Sequence, residues 1–432
     1  MSTKPTPGLQ PRLEAAFALN TVLRGAPFTP IASDRLPDPR DRALANRLAT
    51  TALRRHGHIT AILDTLLKKG VPARAGILEA VLRIAIAQLF YIDAVPAHSA
   101  IHLAVESARA DKRAGRFDKL VNGALRTLQR EAETFRTLPE TELFPDWLAG
   151  KWRKAYGDEA LYAFANALLA GAPLDLTLKT LDPALVEALG ATPVLGTTVR
   201  IETRDAAVAD LPGFAEGQWW VQDAAAAIPA RLIGAGPGMR VLDLCAAPGG
   251  KTAQLAAAGA DVTALDIDAA RAGRLAQNLE RLNLKAETVV ADALTYAPGR
   301  SFDAILLDAP CSATGTFRRH PDVLVNRGPE GIKDRVALQR DLIARALTLL
   351  APGGTLIYCV CSLEPEEGED QVKWVLTSHP GLTLAPVSPA ELDGWTTPIR
   401  EDGTVRTHPG LAAPGTAAGT LDGFFIARFT IA

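Results

Sequence analysis

The first third of the chain repeats a helical pattern of apolar positions. Between residues 11 and 133, apolar side chains recur at spacings of three and four, and short segments with Gly or Pro separate these stretches. In the last stretch, one face carries Phe117, Val121, Ala124 and Leu128. The predicted helices are 11–24, 40–56, 58–69, 73–91, 97–110 and 115–132. We therefore expect an all-α bundle.

The middle of the chain mixes short helical and alternating stretches. Residues 137–146, TLPETELFPD, are typical of a linker. Helical stretches follow, and then apolar and polar residues alternate at 174–181 and 197–203. These features predict a small α+β, RRM-like subdomain over 139–225. The Ala-rich run at 222–236 predicts a helix.

From residue 238 onward, short apolar strands alternate with helices. The strand segments are MRVLDLCA, ADVTALDID, AETVVADAL, FDAILLDAP and GGTLIYCVCS. This alternation predicts a parallel sheet with helices on both faces, an α/β Rossmann-like domain over 226–432. Such sheets bind ligands beyond the carboxyl ends of their strands. With the helical part assigned to 1–138, the sequence predicts three domains.

Charge is distributed unevenly, although the whole chain has a formal net charge of only −2. Residues 1–140 contain 21 Lys and Arg against 13 Asp and Glu, a net of +8, and the remainder contains 25 against 35, a net of −10. The cations around the last helical face are Lys112, Arg113, Arg116, Lys119, Arg126 and Arg130. A basic module joined to an acidic one indicates that the first binds a polyanion. The alternative, which explains the excess of basic residues equally well, is that they lie on solvated helix faces and bind no partner.

The N-terminal residues and the cysteines narrow the class of protein. The first ten residues, MSTKPTPGLQ, contain no apolar secretory segment, and Glu79 and Arg83 interrupt the apolar stretch 75–95, as in a core helix. The four cysteines are Cys245, Cys311, Cys359 and Cys361. Their spacing predicts neither a disulfide framework nor a zinc site, and Cys245 and Cys359 are expected to pack as small apolar side chains. We expect a cytoplasmic protein with free thiols, no metal and no membrane partner.

A turn between a strand and a helix, VLDLCAAPGGKT at 241–252, is the first candidate ligand site. Gly249 and Gly250 allow close approach of the backbone, and the start of the helix offers free N–H groups. Asp266 closes the next strand, where such folds bind ribose hydroxyls, and Asp292 ends the third, where a carboxylate could accept the adenine amino group. These features favour an adenosyl ligand without a pyrophosphate. The alternative is that both aspartates cap helices.

Two further strands end in cysteine-containing segments that face the same crevice. Cys311 lies in LLDAPCSATGTFRRHPD (306–322), and Cys361 lies in YCVCSLEPEEGED (358–370). A thiolate that adds to carbon 6 of cytosine makes carbon 5 nucleophilic enough to take a methyl group. An acid near N3 must accompany the attack, and Asp308 is placed for that role. The target base must be unpaired or flipped out.

Several of these segments resemble known families. VPAHSAIHLAVESAR (95–109) and KLVNGALRTL (119–128) are similar to the NusB-like RNA-binding domain. CAAPGGK and DAPCSATG together resemble the Sun/Fmu (RsmB-like) branch of the RNA cytosine-5 methyltransferases, and the match extends to DGFFIARF at 422–429. The resemblance implies S-adenosyl-L-methionine as the cofactor and ribosomal RNA as the partner.

The same resemblance assigns roles to individual residues. It implies that Cys361 is the nucleophile and that Cys311 helps to release the product, an order that spacing alone does not settle. It implies contacts with the cofactor or the target base for Cys245, Ala246, Ala247, Pro248, Gly249, Gly250, Lys251, Asp266, Asp292 and Asp308. Relatives usually have Thr before the nucleophile and often Asn after Pro-Glu-Glu, whereas this chain has Val360 and Gly368. Both departures could alter how the loop around Cys361 is held.

The sequence therefore predicts a monomeric methyltransferase that acts on a cytosine of small-subunit (16S) ribosomal RNA. The alternatives are an RNA-binding regulatory protein with a vestigial methyltransferase fold, and a methyltransferase for another RNA such as tRNA, for DNA or for a small molecule. Lys251 could lower the pKa of a thiol, hold the target base or lie in solvent. Arg318, Arg319 and His320 are expected to contact RNA phosphates. The alternative is that they are consecutive charged residues of an exposed loop and bind nothing.

Overall fold

The structure is a computed structural model that describes residues 6–92, 96–202 and 207–431. Parts of the segments singled out above lie outside the described residues: 1–5 of MSTKPTPGLQ, 93–95 of the apolar stretch with Val95 of the NusB-like segment, and Thr203 at the end of an alternating run.

The chain forms two compact units. One consists of residues 1–154 and 319–327, and the other consists of residues 155–318 and 328–432. None of the described helices combines the length and the apolar character that a transmembrane segment needs.

The helices and strands follow the order that the hydrophobic pattern predicts. The α-helices are α1 (Leu9–Val22), α2 (Pro39–Arg54), α3 (His56–Leu66), α4 (Leu78–Tyr91), α5 (Ala97–Ala110), α6 (Asp118–Arg130), α7 (Ala132–Arg136), α8 (Asp146–Ala170), α9 (Pro183–Ala188), α10 (Ala224–Arg231), α11 (Gly250–Ala257), α12 (Ala269–Arg281), α13 (Val323–Asn326), α14 (Pro329–Leu349) and α15 (Glu369–Ser378). The strands are β1 (Leu174–Leu178), β2 (Thr192–Leu195), β3 (Thr198–Ile201), β4 (Trp219–Val221), β5 (Arg240–Leu244), β6 (Asp261–Asp266), β7 (Glu287–Val290), β8 (Phe302–Asp308), β9 (Leu350–Val360), β10 (Leu382–Leu384), β11 (Val405–Thr407) and β12 (Phe424–Ile431).

The first unit is the predicted helical bundle. Apolar side chains of its helices form one buried core, to which α1, α2, α4 and α6 contribute Leu19, Leu48, Ile86 and Leu125. Burial of this apolar surface is the main force that holds short helices together, because isolated helices of this length are marginal in water.

Helix α4 begins later than the pattern predicts. The periodic apolar residues start near residue 73, but Arg74 and Gly76 have φ angles of 58° and 63°, which a right-handed helix cannot contain. The helix therefore starts at Leu78. The two charges in this helix are accommodated as a pair, because Nε of the buried Arg83 donates to Glu79 at 2.9 Å.

The middle segment forms a four-stranded antiparallel sheet in the order β2-β3-β1-β4. A buried ion pair lies between two of its strands, with Nε of Arg200 2.7 Å from Oδ1 of Asp175. The predicted α+β subdomain is thus present, but its RRM-like character is not confirmed. The described residues between β3 and β4 form only a 3-10 turn, Val208–Asp210, in place of a second crossover helix.

The large sheet has the strand order β10-β12-β9-β8-β5-β6-β7, with β11 paired to β12. Strands β5 to β9 run parallel to one another, as predicted. Strand β12 pairs antiparallel with β9, β10 and β11. The five predicted strands thus form the parallel part of the sheet, and the strands β10, β11 and β12, which the hydrophobic pattern did not predict, pair antiparallel and make the sheet mixed.

Candidate functional site

The candidate residues lie along one edge of the large sheet. In the order β9, β8, β5, β6 and β7, the strands end at or directly before Cys361, Asp308, Cys245, Asp266 and the segment that contains Asp292. These strands are neighbours and parallel, so their carboxyl ends form a continuous row. The fold thus brings together groups that are far apart in the sequence, at the edge where such sheets bind ligands.

The glycine turn after β5 is built for close backbone approach. Cys245 and Gly249 have φ angles of 61° and 101°. A Cβ atom at Gly249 would lie 2.8 Å from Cγ of Leu275, so only glycine fits there. Helix α11 begins at Gly250, and its first N–H groups are available at the turn.

Side chains of α12 hold the outer part of this turn. Arg271 donates a hydrogen bond to the carbonyl of Ala247, and Nδ2 of Asn278 donates to the carbonyl of Pro248 at 3.1 Å. Ala246 and Ala247 are buried, whereas Pro248 is exposed. Side chains of a neighbouring helix thus hold the turn in place.

The two aspartates that follow β6 and β7 have different environments. Asp266 is buried, and its oxygens accept hydrogen bonds from the backbone N–H groups of Ala247 (3.1 Å) and Asp268 (3.0 Å). The N-cap of α12 is Asp268, so Asp266 does not cap that helix. Asp292 is exposed and accepts from the N–H of Leu294 at 3.0 Å, which makes it a turn cap, close to the alternative considered for it.

Two exposed apolar side chains next to these aspartates were not singled out from the sequence. Ile267 is 68% exposed and Val290 is 53% exposed, although both are large and hydrophobic. Apolar surface beside a buried carboxylate and a glycine turn fits a ligand with a flat aromatic base and a polar sugar. The residues present thus fit an adenosyl group. In the described parts of the chain, no cluster of three or more His, Cys, Asp or Glu side chains could hold a metal ion.

Lys251 and Asp308 form an ion pair beneath the turn. Nζ of Lys251 lies 2.9 Å from Oδ2 of Asp308 and 5.1 Å from the centroid of the Phe424 ring. Burial is the largest single influence and lowers the pKa of Lys251, but the charge and hydrogen bond of Asp308, together with Cys359 and Cys361, outweigh it and raise the pKa above its ordinary value. The side chain of Lys251 is only 10% exposed, so a position in solvent is wrong for this residue.

The two cysteines that follow β8 and β9 are in contact. Sγ of Cys311 lies 3.5 Å from Sγ of Cys361. This hydrogen bond, together with burial, raises the pKa of Cys311 well above its ordinary value. Cys359 is fully buried and its Sγ lies 3.6 Å from Oδ1 of Asp308, while burial raises the pKa of Cys245 to about 12. The thiols of Cys359 and Cys245 are therefore held in the protonated form.

The loop after Cys361 is held by side chains from distant parts of the chain. Nη1 of Arg406 donates to the carbonyl of Ser362 at 2.5 Å, and the hydroxyl of Tyr156 donates to the carbonyl of Leu363 at 2.6 Å. Sequence reasoning missed both Arg406 and Tyr156, because neither lies in a motif and their contacts depend on the fold.

The two departures from the family pattern lie in this neighbourhood. Val360 is fully buried at the end of β9, where it pairs with Phe425. A Cβ atom on Gly368 would lie 2.5 Å from Nη2 of Arg406 and 2.8 Å from Cγ of Phe425. An asparagine at position 368 would therefore have to displace the arginine that holds the loop after Cys361.

The prediction that Arg318 meets RNA phosphates is wrong. Its guanidinium is fully buried, with Nη2 2.9 Å from Oδ2 of Asp223 and 2.8 Å from Oδ1 of Asp422. Two buried carboxylates compensate one buried cation, so the group is structural and has no free donor face for a phosphate of RNA. Arg319 is half-buried and His320 is exposed.

The predicted cationic face of the first unit is present. Val121, Ala124 and Leu128 on α6 are buried, while Phe117 is half-buried. The exposed cations around this face are Lys112, Arg113, Arg116, Lys119, Arg126 and Arg130. The helix thus buries its apolar side and presents a basic side to solvent, as an RNA-binding surface would require.

Two protein families match the chain. Residues 232–430 match the family described as 16S rRNA methyltransferase RsmB/F, and residues 10–130 match the NusB family. Ribosomal RNA small subunit methyltransferase B of Xanthomonas campestris pv. campestris is 38% identical over 394 residues, which cover 85% of this chain and 87% of that protein.

Solved structures with a similar fold cover nearly all or about two thirds of the chain. The crystal structure of PH0851 aligns with 99% of this chain and 99% of its own, with a TM-score of 0.77 and 23% identity. A methyltransferase homologue from Pyrococcus horikoshii aligns with 67% of this chain and 96% of its own, with a TM-score of 0.55 and 26% identity. The first likeness concerns the fold alone.

Proposed function

The chain belongs to the RsmB/F family of 16S rRNA methyltransferases, and from that premise we propose that it methylates carbon 5 of a cytosine in small-subunit ribosomal RNA through a transient bond between Cys361 and carbon 6. S-adenosyl-L-methionine is the cofactor, and when bound it supplies the methyl group. The observation that supports the proposal most is the contact between two thiols, 3.5 Å apart, at the sheet edge that also carries the Lys251–Asp308 pair.

The glycine turn and the acidic strand ends are the proposed cofactor site. The turn offers backbone N–H groups, the buried carboxylate of Asp266 closes the next strand, and Ile267 adds an apolar surface. The residues assigned to the cofactor or the target base are Cys245, Ala246, Ala247, Pro248, Gly249, Gly250, Lys251, Asp266, Asp292 and Asp308.

Attack on the base needs a thiolate and a proton donor. Carbon 5 of cytosine is a weak nucleophile, and addition of the Cys361 thiolate to carbon 6 moves electron density onto carbon 5 while N3 takes up a proton. The Lys251–Asp308 pair lies at the neighbouring strand end and supplies that proton, which returns to the pair when the thiol is eliminated.

Cys311 is suited to a later step. Cys311 keeps its proton at first, because its pKa is raised, most of all by the hydrogen bond to Cys361. Once the sulfur of Cys361 is bonded to carbon 6, this hydrogen bond is lost and the pKa of Cys311 falls, so we propose that Cys311 then gives its proton to solvent. As a thiolate it takes the proton from carbon 5, and the bond from carbon 6 to Cys361 then breaks. We therefore assign Cys361 as the first nucleophile and Cys311 as the group that assists release, the order that the family resemblance implies.

Each of the three domains has a proposed role. We assign residues 1–138 to RNA binding through the exposed cations of α6, residues 139–225 to the small α+β subdomain, and residues 226–432 to methyl transfer. Phosphate contacts give affinity without sequence preference, so the choice of the target cytosine rests on other contacts. The enzyme is proposed to act as a cytoplasmic monomer.

The arrangement of the Lys251–Asp308 pair and the two thiols argues against an RNA-binding regulatory protein with a vestigial methyltransferase fold. A vestigial site would not need to keep a buried lysine–aspartate pair and two contacting thiols, each of which is costly or reactive to maintain. A methyltransferase for another RNA, such as tRNA, would use the same groups, and only the substrate separates it from the present proposal.

Bisulfite sequencing of RNA from the source cells tests the substrate and the methylated position. Cells that lack the gene are compared with cells that carry the wild-type protein or Cys361→Ser. We expect a cytosine of 16S rRNA that resists bisulfite only with the wild-type protein. Identical 16S rRNA in all three strains would contradict the proposal, and a change confined to tRNA would favour the alternative substrate.

A further inference from the structure

A buried carboxylate joins the two loops that carry the cysteines. Glu367 is fully buried. Its oxygens accept from the backbone N–H of Ser312 (2.9 Å), from Oγ of Ser312 (2.5 Å), from Oγ of Ser362 (2.6 Å) and from Nε2 of Gln339 (3.1 Å). Ser312 directly follows Cys311, and Ser362 directly follows Cys361. One side chain thus holds the residue next to each cysteine.

Burial of the Glu367 carboxylate is compensated by hydrogen bonds from the two cysteine loops. A buried charge is strongly unfavourable unless it is paired or accepts several hydrogen bonds. The donors that reach Glu367 are uncharged, so the hydrogen bonds from the two cysteine loops provide most of the compensation. Charge-assisted hydrogen bonds are about twice as strong as neutral ones, and both loops are therefore held tightly to one point.

Other hydrogen bonds also join the two cysteine loops: Oγ of Ser312 lies 2.9 Å from Oγ of Ser362, and the N–H of Leu363 donates to Oγ1 of Thr314 at 3.1 Å. Cys311 follows β8 and Cys361 follows β9, and the ladder between these strands ends at the pair Asp308 and Cys359. Beyond it, the backbone N–H of Gly315 donates to the carbonyl of Cys361 at 3.0 Å. The contact of the thiols therefore depends on links beyond the sheet, and among these Glu367 is the buried carboxylate that binds the residues directly after both cysteines.

We propose that Glu367 is a positioning residue that holds Cys311 and Cys361 within reach of each other and of one target base. The inference rests on the proposed function only for its catalytic consequence, since the distance between the thiols is a property of the free protein. Loss of the carboxylate leaves the N–H of Ser312 without its acceptor and removes the strong acceptor that the hydroxyls of Ser312 and Ser362 share, so both loops loosen.

Oxidative cross-linking tests the positioning without RNA or cofactor. Diamide oxidises two thiols to a disulfide while its N=N bond takes up the two hydrogens, so the rate for Cys311 and Cys361 reports their proximity. The variants are Glu367→Gln, which keeps the shape and removes the charge, and Glu367→Ala. Asp175→Asn is the control, because Asp175 is also buried and ion-paired but lies in the small antiparallel sheet. Peptide mapping by mass spectrometry identifies the disulfide.

We expect several-fold slower cross-linking in both Glu367 variants, with the larger effect in Glu367→Ala, and the wild-type rate in Asp175→Asn. Circular dichroism selects the temperature at which all proteins are folded. If Glu367→Ala does not fold, Glu367→Gln and Ser362→Ala serve in its place. A folded Glu367 variant that cross-links at the wild-type rate would overturn the inference.

A second measurement connects the positioning to catalysis. The rate of covalent adduct formation with RNA that contains 5-fluorocytidine should fall in the Glu367 variants by up to about 10²-fold, since a misplacement of about 1 Å can cost that much. The affinity for RNA should not change, because Glu367 is buried. Slower cross-linking with an unchanged adduct rate would contradict the catalytic part alone. Absence of any adduct in the wild-type protein would instead contradict the proposed function.

Discussion

The ammonium of Lys251 lies 2.9 Å from the carboxylate of Asp308, although 57 residues separate them. The parallel strands β5 and β8 are neighbours in the sheet, and their adjacent carboxyl ends place the glycine turn beside the first cysteine loop. The pair is therefore a consequence of the sheet order, and in the proposed mechanism it delivers a proton to the base.

The ion pair predicts strongly coupled effects on the chemical step. Lys251→Met and Asp308→Asn should each lower the single-turnover rate of methyl transfer by about 10²–10⁴-fold, the usual contribution of a general acid. The double variant should be no slower than the worse single variant, because the two groups act as one unit. Rapid-quench measurements with labelled cofactor give these rates. Additive losses would mean that the two residues act separately.

Replacing Gly368 by asparagine, the residue that relatives often have there, should destabilise this protein. Gly368→Asn should lower the free energy of unfolding by about 1–3 kcal/mol, the usual cost of overpacking, because its Cβ would crowd Arg406 and Phe425. Urea unfolding measures the change. Gly381→Ala is the matched control, since a Cβ there has no atom within 4 Å. A stable Gly368→Asn protein would show that Arg406 has another position available.

Asp243 predicts a specific pH dependence of stability. It is fully buried in β5, Thr252 donates to its Oδ2 at 2.6 Å, and burial raises its pKa from 3.8 to about 7. Between these two values the unfolded chain releases a proton that the folded chain keeps, so wild-type stability falls as the pH rises from about 4 to about 7.

The Asp243→Asn variant lacks this titration. Relative to the wild type, its free energy of unfolding should rise with pH over that window, by a total on the order of 4 kcal/mol for a shift of this size. Urea unfolding of both proteins at pH 4.5 and pH 7.5 provides the comparison. A difference that stays constant with pH would mean that Asp243 is ionised in the folded protein.

The cationic face of α6 predicts a change in RNA affinity and not in chemistry. Arg126→Gln combined with Arg130→Gln should raise KM for RNA and leave the single-turnover rate at saturation unchanged. The salt dependence of RNA binding should weaken by roughly one in slope per lost phosphate contact. Lys333→Gln combined with Lys373→Gln is the control, because these cations are 76% and 77% exposed elsewhere in the chain. Equal effects of both double variants would argue against a specific surface.

The sequence was most informative where its signal is local. Apolar periodicity predicted the helices of the bundle and the five strands that pair in parallel, since each pattern is set by residues within one element. The position of Cys361 just past β9 followed from the same pattern. The start of α4 was predicted too early, because a left-handed backbone at Arg74 has no clear mark in the sequence.

What the sequence did not predict depends on distant partners. Arg318 stands in an apparent loop charge run, but Asp223 and Asp422, about a hundred residues away on either side, bury it. Glu367 looks like one member of an acidic run, and its partner Ser312 lies 55 residues earlier. Such contacts become visible only when the strands are assembled.

The covalent step itself is tested most directly by trapping. Methyl transfer to 5-fluorocytidine leaves fluorine on carbon 5, so no proton can be removed and the protein stays bonded to the RNA. With cofactor and such RNA, the wild-type protein should form an adduct that survives denaturing electrophoresis, and Cys361→Ser should form none. Cys311→Ala should accumulate an adduct even on ordinary RNA, because release is impaired. An adduct that persists in Cys361→Ser and disappears in Cys311→Ala would contradict the assignment of Cys361 as the nucleophile.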